Sequence, residues 1–290
     1  MKWEGQQESD KVEDRRGIGK KGLAIGGGAG LLLLLLGAIL GFDPQKLNQL
    51  VGNLPGNAAN DQAEQRPLTA QEERSRKFAA TILRFTEEVW QEQFRKVGQR
   101  YEAPHMVLFS ERVETGCGTA PSAVGPFYCP ADKTVYLDPT FFDELEQKLG
   151  GSKAEFSQAY VIAHEVGHHV QNLLGYSRLV DEKRRTLPKE EFNPWSVRLE
   201  LQADYLAGVW GYHANQREKI LEPGDLESAL TAAKAIGDDT LQRKAGGVVR
   251  PDSFTHGTSE QRIRYFRKGF ETGKFSKGAL DYFFDPNTDL

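Results

Sequence analysis

Three patterns of apolar and polar positions divide this chain. From Gly22 to Phe42 runs an unbroken stretch without a charge, centred on Leu31 to Leu36. A helix of that length rises about 30 Å, enough to cross the hydrocarbon layer of a bilayer. The run ends in Gly41-Phe42-Asp43-Pro44 and lacks the small residues that mark a signal cleavage site. It therefore reads as an uncleaved transmembrane helix. Lys11, Arg15, Arg16, Lys20 and Lys21 precede it, whereas only Lys46 follows within twenty residues. That asymmetry predicts a single-pass protein of the cell's inner (plasma) membrane. Residues 1–21 are then cytoplasmic, and the catalytic domain is periplasmic or extracellular. Residues 43–68, rich in Asn, Gln and Gly, read as a stalk.

Beyond the stalk, a domain is expected over 69–290, and helical spacing dominates it. Thr69 and Glu72 form a capping-box pattern. Phe78, Ile82, Phe85, Val89 and Trp90 then follow as a core stripe. Ser152 with Glu155 repeats the capping pattern for a helix to about Leu174, with Gly175 as its stop. Further helices are predicted from Pro139 to about Leu149, Trp195 to His213, twice between Leu226 and Lys244, and from Thr258 to about Gly273. The charged stretch Arg178 to Pro194 reads as a solvated loop rather than a lid. Strand patterns are few: Val107 to Phe109 and Thr134 to Leu137. The expected fold class is α+β, mostly α, with a small sheet.

Composition adds exclusions. A net charge of −4 gives no basic surplus for nucleic acid. The two cysteines are too few for a disulfide scaffold. Cys117 and Cys129 both fall in the expected outer part, where thiols usually oxidise, so a disulfide between them is expected.

The chemistry concentrates in His164-Glu165-Val166-Gly167-His168. Residues four apart on a helix share a face, so His164 and His168 can converge on one Zn²⁺ ion. Glu165 lies one step round the helix, placed to take a proton from a zinc-activated water and pass it to a leaving amine. Gly167 leaves room for a substrate or a crossing backbone. A catalytic zinc needs a third protein ligand. Glu200, in Glu200-Leu201-Gln202-Ala203-Asp204, can supply it. Asp204 can accept the outer N–H of a liganding histidine. Apolar neighbours mark the helix carrying both carboxylates as buried, where carboxylates need partners. His169 faces away from His168 and reads as structural or surface; His105 and His213 carry no functional context.

HEVGH followed by ELQAD is similar to the gluzincin pattern of HExxH plus ExxxD. More closely, the chain resembles the bacterial family called putative neutral zinc metallopeptidases. That resemblance rests on Lys2-Trp3-Glu4-Gly5, Ser9-Asp10, Val12-Glu13-Asp14-Arg15-Arg16, the apolar span, the Cys117 to Cys129 segment, Ala163 to His169 and Ser259-Glu-Gln-Arg262. It implies a zincin-like domain and zinc-dependent hydrolysis of peptide or protein substrates. His256 to Arg262 also resembles the downstream His…Arg segment of membrane-associated gluzincins, with Gly257 where those carry proline. By that likeness His256 is a candidate catalytic donor to the oxyanion, and Arg262 a structural partner of a carboxylate. The Thr134–Leu137 strand is a candidate edge for an extended peptide. Two other readings share these features: a catalytically silent, membrane-tethered assembly protein, and a non-proteolytic zinc amidohydrolase.

Overall fold

The computed structural model describes residues 1–16 and 66–290. The expected span 22–42 and residues 43–65 of the expected stalk lie outside the described residues. Among the described residues no helix is long and apolar enough to cross a membrane.

Helix α1 (Ala70–Lys96) starts where the capping box predicts. The Thr69 hydroxyl accepts from the Glu72 N–H at 3.2 Å, and the Glu72 carboxylate accepts from the Thr69 N–H at 2.7 Å. Helices α2 (Phe141–Gln147), α3 (Glu155–Leu174), α4 (Tyr176–Thr186) and α5 (Lys189–Glu218) follow. After them come α6 (Asp225–Ala235), α7 (Asp238–Lys244), α8 (Ser259–Thr272) and α9 (Lys277–Asp281). Gly175 ends α3 with φ +87°, a left-handed cap open to glycine at little cost. The box predicted at Ser152 does not form. Ala154 is the N-cap, and the Ser152 hydroxyl accepts from the Ala154 N–H at 3.1 Å.

The predicted loop from Arg178 to Pro194 is instead α4 and the start of α5, broken at Leu187-Pro188. Its lysines, arginines and glutamates are good helix formers, and their density marks a solvated helix face. Pro194 lies inside α5 near its N-terminus, where the lost backbone bond affects one early turn.

A four-stranded sheet runs in the order β1-β2-β6-β5, made by Val12–Asp14, His105–Leu108, Thr134–Leu137 and Phe127–Cys129. β1, β2 and β6 are parallel; β5 is antiparallel to β6. A separate hairpin pairs β3 (Arg112–Thr115) with β4 (Gly118–Pro121). β6 therefore has a neighbour on each side and is no edge; among the described residues the edge on that side is β5. Alternation explains the unbroken apolar runs of β2 and β6. Met106, Leu108, Val135 and Leu137 join the main core with the helices. Val107 and Tyr136 point the other way, into a small second core with Phe109, Val113 and Cys129. The Cys117–Cys129 disulfide, with Cα atoms 5.9 Å apart, ties the tip of the β3–β4 hairpin to this second core.

One boundary differs from expectation. The folded unit does not begin at Thr69, because residues 1–16 pack against it and supply β1.

Candidate metal centre

The site forms where α3 crosses α5. A Cβ built on Gly167 would lie 3.1 Å from the Ala203 carbonyl oxygen and 3.3 Å from the Ala203 Cα. Of the two roles open to this glycine, the geometry selects close passage of a backbone. That approach brings Glu200 over the two histidines. His164 Nε2 lies 3.2 Å from Glu200 Oε2, and His168 Nε2 lies 3.5 Å from Glu200 Oε1. The imidazole rings stand at 89° with centroids 4.8 Å apart. One donor atom from each of the three residues falls within 4.8 Å of the others. Two imidazole nitrogens and a carboxylate are a donor set that suits zinc, with coordination positions left over. The chain's own residues therefore fit the ion.

Each imidazole is oriented from behind. His164 Nδ1 donates to Asp204 Oδ1 at 2.9 Å. Asp204 is fully buried, and Tyr160 Oη donates to it at 2.6 Å. Arg262 donates to both its oxygens, from Nε at 2.8 Å and Nη2 at 3.0 Å. Arg262 thus pairs structurally with a carboxylate, as expected of it. His168 Nδ1 donates to Gln171 Oε1 at 2.8 Å. Gln171 in turn donates to the Leu199 carbonyl at 2.6 Å and to Gln202 Oε1 at 3.0 Å. Sequence reading missed Gln171. Its spacing of three residues from His168, on the same helix face, was the available signal.

Burial alone would lower the His164 pKa; Asp204 and Glu200 outweigh it and push it up to about 10. Burial would raise Glu200, but the His168 and His164 imidazoles hold it well below the usual carboxylate range. Glu165 is buried, and that burial raises its pKa, only partly opposed by the two histidines. A carboxylate raised in this way is a better proton acceptor near neutral pH.

His256 stands beside the centre, near enough for its charge and that of Glu200 to affect one another. It is held by Asp238, a buried residue at the start of α7 that the sequence did not single out. Asp238 Oδ2 accepts backbone N–H groups from Thr255 at 2.7 Å, His256 at 2.6 Å and Gly257 at 3.0 Å. Its Oδ1 lies 3.1 Å from His256 Nδ1. Gly257 has φ +89°, which a proline ring cannot adopt, so the departure from the gluzincin pattern matches the turn built here. His169 turns away into the core, its Nε2 2.6 Å from the Glu102 carbonyl and its Nδ1 2.9 Å from Tyr128 Oη. His213 contacts the Gly273 carbonyl and His105 lies at the start of β2, both away from the centre.

Comparison with known proteins agrees with this chemistry. The model of a family described as putative neutral zinc metallopeptidase matches residues 1–279. The uncharacterized protein YpfJ of Escherichia coli K12 is 46% identical over 280 residues, covering 94% of this chain and 96% of that protein. The uncharacterized protein Mb2605 of Mycobacterium bovis is 46% identical over 182 residues, covering 60% of each chain. No solved structure matches the chain significantly.

Proposed function

Because the chain belongs to the putative neutral zinc metallopeptidase family, we propose that it hydrolyses peptide bonds with one Zn²⁺ held by His164, His168 and Glu200. The observation that carries this reading is the convergence of those three side chains, with Glu165 buried beside them. Bound there, the ion would polarise the scissile carbonyl and lower the pKa of the attacking water. Glu165 takes the proton from that water and hands it to the leaving amine. His256, fixed through Asp238, donates toward the oxygen on which negative charge develops. Asp204 and Gln171 hold the two imidazoles with their Nε2 atoms facing the centre. The substrate is a peptide or protein. The run 22–42 associates the chain with a membrane.

Glu165→Gln keeps the shape of the site and removes the base. The variant is expected to retain its zinc by elemental analysis and to lose at least about 100-fold in peptide hydrolysis. Turnover equal to wild type would show that Glu165 is not the base. Absence of chelator-sensitive hydrolysis of any peptide library by the zinc-loaded wild type would favour a silent assembly protein. Cleavage of amide-bearing cell-wall fragments alone would favour a non-proteolytic amidohydrolase.

A further inference from the structure

The N-terminal motif residues have no place in the metal chemistry, yet nearly all of them are engaged by the domain. Trp3 is buried edge-on against Phe78, with ring centroids 5.2 Å apart, and the Arg74 guanidinium lies 5.0 Å over its ring. Ser9 donates its hydroxyl to the buried Glu87 at 2.6 Å and its backbone N–H to the Ala80 carbonyl at 3.0 Å. Val12, Glu13 and Asp14 pair in register with Met106, Val107 and Leu108. Arg16, only 6% exposed, grips Asp14 and donates to Ser75 Oγ and the Glu72 carbonyl, each at 2.7 Å.

The chain leaves and re-enters the domain at one place. Arg16 reaches the Glu72 carbonyl, and Arg66 pairs with the Glu72 carboxylate at 2.5 Å. A single crossing by the run 22–42 would set an apolar layer about 30 Å thick between residues 1–16 and 66–290. β1 could not then pair with β2, nor Trp3 reach Phe78. Residues 43–65 offer no second apolar run for a return crossing: they contain Asp43, Lys46, Asp61, Glu64, Pro44 and Pro55.

We infer that residues 1–16 and 66–290 lie on the same side of the membrane. This revises the expected topology of a cytoplasmic N-terminus and an outer domain. The flanking-charge count behind that expectation treated Lys11, Arg15 and Arg16 as free topology signals. The fold uses all three: Lys11 Nζ donates to the Ala103 carbonyl at 3.2 Å, Arg15 pairs with Glu13 at 2.8 Å, and Arg16 is spent as described. The inference does not depend on the peptidase reading, and its test does not read activity.

The test uses the full chain in intact bacterial cells. Gln7→Cys and Glu271→Cys each place one thiol at an exposed position, one in each part. Labelling with a membrane-impermeant maleimide is compared before and after permeabilisation. The expected result is concordance: both positions labelled in intact cells, or both only after permeabilisation, with yields within about twofold. The label also identifies the shared side. Labelling of one position in intact cells and of the other only after permeabilisation overturns the inference. A second measurement checks the packing itself. Trp3→Ala in the detergent-solubilised full chain is expected to lower the melting temperature by roughly 10 °C. An unchanged melting temperature would also overturn the inference.

Discussion

At Gly167 the absence of a side chain sets the spacing of two helices, and with it the reach of Glu200. The same economy governs the ring orientations. Asp204 and Gln171 each take one imidazole N–H and leave the other nitrogen for the centre. Asp204→Asn and Gln171→Ala are each expected to weaken zinc binding by about 10–100-fold, read by competition with a chromogenic chelator. The two effects differ in cause. Asn at 204 also leaves the buried Arg262 without its counter-charge, so that variant should lose thermal stability while Gln171→Ala loses little. His169 carries a separate pH signature. Burial pushes its pKa down to about 4, so its neutral form is the folded one. The unfolded imidazole titrates near pH 6.5 and binds more protons than the folded one between the two values. This contribution to stability is complete above pH 6.5 and is lost as the pH falls toward 4, about 3 kcal/mol in all. Urea unfolding of wild type and His169→Gln at pH 7 and pH 4.5 checks it: wild type should lose more stability on acidification than the variant.

At the scale of elements, the site depends on how closely α5 is held between its neighbours. α3 passes it at Gly167, and α8 passes it at Gly208 and Gly269. A Cβ on Gly208 would lie 2.1 Å from the Phe266 carbonyl oxygen, and one on Gly269 would lie 2.0 Å from the Tyr205 carbonyl oxygen. These backbones touch, and no side chain can be accommodated without moving a helix. Gly269→Ala is therefore expected to destabilise the protein by about 1–3 kcal/mol or more, visible as a lowered denaturant midpoint. Arg262 rides on α8, so the same displacement should pull the guanidinium from Asp204 and weaken metal binding in parallel. A variant that melts as wild type would mean that the crossing has slack. Helix ends were the most legible features of these elements. The Thr69–Glu72 and Thr258–Gln261 boxes both form as their spacing predicts. The Ser152 box does not, because one hydroxyl can serve the adjacent turn instead of the helix.

Across the whole molecule, the His164/His168 pair was legible because both histidines lie on one helix, where spacing alone defines a face. Glu200 and Asp204 were legible for a related reason: carboxylates four apart among apolar neighbours must find partners in the interior. Asp238 was not, since an aspartate at the start of a short helix looks like any N-terminal acid. Nor was the order of the sheet. Thr134–Leu137 was readable as a strand, but whether it lay at an edge depended on β5, a three-residue segment with no alternating pattern of its own. The N-terminal sixteen residues present the sharpest case. Their charges were read through a rule for membrane topology, whereas Lys11 and Arg16 reach the Ala103 and Glu72 carbonyls, 92 and 56 residues away along the chain.

Local pattern determined what is local here: helix starts, the face shared by two histidines, the apolar run, and the mostly helical α+β class. Tertiary structure alone decided which helices touch, which strand is an edge, which buried groups orient the imidazoles, and that the first residues complete the sheet. The physical reason is that periodicity and capping act over one or two turns of backbone. Close approach at a glycine, or pairing between distant strands, is set by the whole core at once.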